Sequence, residues 1–147
     1  MGAIEKAFEQ MARLAINITL ATENDRIFDD LYDAYSWIDQ EEADLWMQRL
    51  EEKLESKQKA TLPLPTAIEN AKELAPSMVE LIVAMREPNE SDIIGSIILF
   101  FYWFDEAFAE SLAVIQEEQR RIVGNPITYT ILDQSTKEDA GWDTPIY

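Results

Sequence analysis

The sequence predicts an all-α fold: a single-domain bundle of about five helices with a non-helical C-terminal tail. Three observations carry this expectation. Apolar residues recur at steps of three and four along most of the chain, the period of a helix with one buried face. Helix-capping residues punctuate those stretches. The composition is rich enough in hydrophobic side chains (47%, with 16 isoleucines) to form a core over 147 residues, a length that fits one domain.

The first stripe is Ile4, Phe8, Met11, Ala15 and Ile18, which predicts a helix over about 3–22. Its apolar face fits a core; the alternative use is a homodimer seam. A second helix is expected after Asn24 or Asp25, ending near Ile38, with Ile27, Leu31, Ala34, Tyr35 and Ile38 inward. Asp39 with Glu42 three residues on has capping-box spacing and opens a third helix that buries Ala43, Trp46, Met47, Leu50 and Leu54. Residues 56–65 read as a loop. Thr66 and Glu69 suggest a second capping box, and a fourth helix to about Met85 that Pro76 kinks or divides. Ser91 is expected to cap the longest helix, to about Val123, with the apolar run Ile93 to Phe104 at the centre of the fold. Phe100, Phe101, Trp103 and Phe104 are expected among the least exposed residues, with room for one of them to face outward. The bundle is thus assigned to 1–124. Residues 125–147 are read as an extended strap, Ile127 to Leu132, and a polar tail containing Trp142. No internal repeat is legible.

Composition also narrows the chemistry. There is no histidine and no cysteine, so histidine-based nucleophilic catalysis, ordinary zinc sites and disulfides are excluded. No phosphate-binding glycine loop occurs. No cofactor is expected. The start lacks the basic and apolar regions of a signal peptide. The twelve residues Ile93 to Phe104 are too few to cross a bilayer, which takes about 20. A cytoplasmic protein with no membrane contact is expected.

The charge is −17, from 29 acids against 12 bases, which disfavours direct binding to nucleic acid and favours basic partners. Acids concentrate between Glu23 and Glu55, whereas bases gather at Lys53, Lys57 and Lys59 and at Arg120-Arg121. On the second helix Asp25, Asp29 and Asp33 form a line beside Asp30. On the third, Asp44, Glu51, Glu52 and Glu55 lie off the apolar stripe. Carboxylates one turn apart sit about 6 Å from each other, of the same order as neighbouring phosphates on a nucleic-acid strand. Trp37 lies beside Asp30 and Asp33, where an aromatic can anchor a contact and attract Arg or Lys. The expectation is a non-catalytic, acidic interaction protein binding a basic, nucleic-acid-binding protein surface: an inhibitor, as in phage-type nucleic-acid mimicry against host defence.

Asp29-Asp30-Leu31-Tyr32-Asp33-Ala34-Tyr35 resembles the aspartate-rich DDxxD segment of class I terpene synthases. The resemblance implies Mg²⁺ held by Asp29 and Asp33 and, through it, a substrate diphosphate. It covers seven residues, and the family's second metal motif has no counterpart: Asn24-Asp25 continues with Phe28 where a hydroxyl belongs. At about 100° per residue these aspartates turn away from the apolar stripe, so a solvated acidic face is expected. The pairs Glu52/Glu55 and Glu41/Asp44 have the ExxE and ExxD spacings of nucleotide pyrophosphohydrolases, the other diphosphate chemistry open to carboxylates with Mg²⁺.

Overall fold

The structure, a computed structural model, describes residues 2–124; the expected strap and tail lie outside the described residues. Those residues form six helices and no strand: α1 (Ala3–Thr22), α2 (Arg26–Ser36), α3 (Gln40–Glu55), α4 (Leu64–Met85), α5 (Glu90–Tyr102) and α6 (Glu106–Gly124). No described helix is long and apolar enough to cross a membrane.

Helix α1 packs on α4, α2 packs on both α5 and α3, and α1 also touches α2. Every residue of the first stripe is buried, and so are Ala7, Ala12, Ile16, Asn17 and Thr19. A helix covered over so wide an arc is a central element. It stops at Glu23, whose left-handed backbone (φ 58°) lets its N–H bond the Thr19 carbonyl. Asp39 caps α3 as the sequence suggests, its carboxylate accepting from the Glu42 N–H at 3.1 Å. Helix α4 starts two residues before Thr66, with Pro63 as N-cap and a proline in its first turn. The ring's fixed φ suits a helix start, and it outweighs the Thr66–Glu69 signal. Pro76 lies inside α4, which runs through it unbroken.

The expected long final helix is two helices. The chain turns at Trp103 and Phe104, and Asp105 caps α6, accepting from the Phe108 N–H at 3.0 Å. The central run keeps its role: Ile93, Ile94, Ile97, Phe100 and Phe101 are buried. Phe100, Phe101 and Phe104 meet edge to face. Trp103 is the residue that turns outward, 42% exposed. The last turns of α6 carry an Arg121–Glu118 ion pair at 3.6 Å.

The same turn occurs between α2 and α3, and it uncovers an internal repeat that the sequence reading missed. Trp37 and Trp103 are the C-caps of α2 and α5, each donating its N–H to the carbonyls three and two residues back. Asp39 and Asp105 then accept from the N–H three residues on, at 3.1 and 3.0 Å. At a spacing of 66 positions the buried residues Ile27, Phe28, Leu31, Ala34, Tyr35, Ala43 and Trp46 correspond to Ile93, Ile94, Ile97, Phe100, Phe101, Ala109 and Leu112, all buried as well. Helix α1 matches α4 at a spacing of 63, three shorter: Ile4, Phe8, Ala12, Ala15 and Ile16 correspond to Ala67, Ala71, Ala75, Met78 and Val79, all buried, and both helices end on a left-handed residue, Glu23 and Arg86. The pattern of α1, α2 and the turn into α3 thus recurs in α4, α5 and the turn into α6. The equivalent helices meet, α1 on α4 and α2 on α5.

Candidate functional site

Helix α2 presents a narrow apolar seam (Ile27, Phe28, Leu31, Ala34 and Tyr35) to the core. The aspartates fall opposite it because they sit one or two places off that seam at about 100° per residue. Asp25, Asp29 and Asp33 are exposed and Asp30 is half-buried. Asp29 and Asp33 form the outer crest of the helix, and no described cation lies close enough to form an ion pair with either. Both carboxyls are held above the ordinary range. For Asp29 partial burial is the larger cause, followed by repulsion from Asp25, Asp33 and Asp30, against a smaller opposing pull from Arg26. For Asp33 the causes are burial and then Asp30. Like charges left to repel one another are held there by the fold, and an external cation would relieve them.

Two bridges extend this crest sideways. Towards α3, the Tyr32 hydroxyl donates to Asp44, and the Gln40 amide donates to the same carboxylate at 3.0 Å and to the Tyr32 oxygen at 2.8 Å. Towards α5, the Trp103 indole N–H donates to Asp30 at 2.8 Å, while Arg26 lies 5.9 Å from the centre of the Trp103 ring. Trp37, one turn beyond Asp33, is 50% exposed. Leu99 and Tyr102, on the same end of α5 as Trp103, are also exposed. The face is thus a row of carboxylates with Trp37 at the end of the same helix and Trp103 joined to it through Asp30.

The nine residues singled out from the sequence are divided by this geometry. Asp25, Asp29, Asp30, Asp33 and Trp37 share α2, and Asp44 joins them through Tyr32. Glu51 and Glu55 lie on the same shoulder of α3 as Asp44 by helical spacing, about two and three turns further along. Glu52 lies on the back of α3, where Gln48 donates to it at 3.3 Å. Tyr32, Leu99, Tyr102 and Trp103 were not singled out. The repeated Trp-x-Asp of Trp37–Asp39 and Trp103–Asp105 was the available signal that Trp103 ends a helix and does not fill a core.

The repeat also separates what the fold requires from what it tolerates. Trp37 corresponds to Trp103. Asp29, Asp30 and Asp33 correspond to Gly95, Ser96 and Leu99. A Cβ at Gly95 would meet nothing within 4 Å, so the position is open to any small side chain. The scaffold does not demand the α2 aspartates.

For metal chemistry, no group of three or more metal-ligating side chains is gathered among the described residues. Asp29 and Asp33 point to solvent, and Glu41, Glu52 and Glu55 are exposed on α3. No known protein family, characterised protein or solved structure matches this chain. Function has to be read from its own geometry.

Proposed function

We propose that this chain is a non-catalytic interaction protein whose acidic α2–α3 face docks on the basic surface of a nucleic-acid-binding protein and blocks it. The observation that supports this best is the exposed, mutually repelling pair Asp29 and Asp33 beside the exposed indoles of Trp37 and Trp103. The equivalent helix, α5, carries Gly95 and Leu99 in place of those acids. A carboxylate row supplies steering and register for a basic groove. Exposed aromatics supply the buried anchors that concentrate binding energy at a protein interface. Asp30 fixes the Trp103 ring, so the anchor is already oriented and loses little freedom on docking.

The mimicry has a direct consequence. Nucleic acid and this chain compete for one groove on the partner. Affinity capture from a lysate of the source organism, followed by release with duplex DNA or RNA, tests it. The expected result is a basic protein that nucleic acid displaces. Capture of a protein that binds both at once would count against the reading.

A further inference from the structure

We propose that the cleft between α1, α3 and the 56–63 loop is a binding site for a small phosphate-bearing ligand. It lies on the shoulder of α3 away from Asp44, Glu51 and Glu55, and it does not depend on the acidic-face reading. The cavity is about 520 Å³, within the roughly 300–1,000 Å³ range of small-molecule sites.

Its walls carry charge opposite to that of the molecule. Four bases line it, Arg13 from α1, Arg49 and Lys53 from α3 and Lys59 from the loop, with no acid among the lining residues. This occurs in a chain with 29 acids and 12 bases. None of the four forms an ion pair with a described carboxylate. In so acidic a protein, cations converging on a cavity without counter-ions make a local potential that an anion can satisfy.

Trp46 adds the second observation. It is 5% exposed and lies in the cleft wall, and its indole N–H is buried with no acceptor. The guanidinium groups of Arg49 and Arg13 lie over its ring at 4.3 and 5.4 Å from the centre. Contact with the indole orients each planar guanidinium and leaves N–H groups at its edge for the two-pronged grip that suits phosphate oxygens. The rim is fixed in advance: Asn17 bonds Thr61 and Leu62, and Lys53 donates to Gln58 at 3.2 Å. Four converging cations favour a ligand with more than one negative charge, which a phosphate or diphosphate group supplies.

Pyrophosphate is the probe, titrated into the full chain in a buffer containing EDTA, so that metal bridging at Asp29 and Asp33 plays no part. Calorimetry is expected to show a single site, and the Trp46 indole signal is expected to move most among the tryptophans in ¹H–¹⁵N spectra. Arg49→Gln and, separately, Lys59→Gln should each weaken binding at least tenfold. Lys6→Gln, the same charge change outside the cleft, should alter it less than twofold. The absence of heat and of spectral shift at millimolar pyrophosphate would overturn the proposal. So would an equal loss in Lys6→Gln, or citrate binding as tightly as pyrophosphate.

Discussion

Replacing Asn17 with leucine removes the polar clamp between α1 and the loop before α4, while keeping the branched shape of the side chain. The Asn17 amide donates to the Leu62 carbonyl at 3.0 Å. Its oxygen accepts from the N–H groups of Thr61 and Leu62 at 2.9 and 3.0 Å, and from the Thr61 hydroxyl at 3.2 Å. Each such bond contributes a net of roughly 0.5–1.5 kcal/mol. Thr61 and Leu62 are exposed, so water can replace the lost partner of their backbone groups and no buried orphan is left. Leucine also gains apolar burial at a site only 7% exposed. The expected cost is therefore about 1–3 kcal/mol, below the plain sum of four bonds. For a chain of this length that is a fall in melting temperature of about 3–10 °C. The damage should also be local. Lys57 and Lys59 lie in the released loop, so trypsin should cut there faster in Asn17→Leu than in the wild type under native conditions. Unchanged melting and unchanged cleavage at these two lysines would refute the assignment of Asn17 as the clamp.

Three further expectations follow from the titrating groups. Asp29 and Asp33 have raised folded-state pKa values, so their ionisation favours unfolding as pH rises through those values; Asp29→Asn should raise the melting temperature at pH 7 and leave it unchanged near pH 2. Tyr35, stacked on Phe8 at 4.7 Å, has its hydroxyl pushed up to about 12 by burial and by neighbouring acids. Stability should be lost as pH rises from about 10 to 12, and Tyr35→Phe should reduce that loss, as followed by circular dichroism. Asp105 is held below the ordinary range by Lys72, whose ammonium it meets at 2.6 Å, and by the Phe108 N–H it caps. Its contribution is present above the ordinary carboxyl pKa and lost as pH falls through the lowered value, so Asp105→Asn should cost stability at pH 7 and little near pH 2.

The all-α class was legible because it rests on periodicity and caps, both local. The α1 stripe and the Asp39 cap appear where the residues place them. The break between α5 and α6 was hidden by the same local logic. Phe101, Phe104 and Phe108 keep helical spacing across the turn, and no glycine or proline marks it. Only Asp105 signals a cap, and an aspartate in a long amphipathic stretch is ordinary. Trp103 turns outward because Asp30, 73 positions away, accepts its N–H; that is tertiary information. The repeat escaped notice because it preserves burial more than identity: Leu31 faces Ile97 and Ala34 faces Phe100 in the alignment. The basic cleft was only half visible. Lys53 and Lys59 are near neighbours in the chain, but Arg13 joins them only when α1 packs beside α3. The acidic row on α2, by contrast, lies within three helical turns, and its outward aim followed from the seam opposite.

The central claim concerns that row, and the most direct measurement is the association rate of the captured basic partner as a function of salt, with the wild type and with the Asp29→Lys/Asp33→Lys double variant. Both side chains are exposed and bear on no core contact, so the variant should keep its helical spectrum. Charge steering is screened over about 8 Å at physiological ionic strength. Wild-type association should therefore slow steeply as salt rises, and the double reversal should reduce both the rate at low salt and the slope. A rate indifferent to salt and to both reversals would contradict the account.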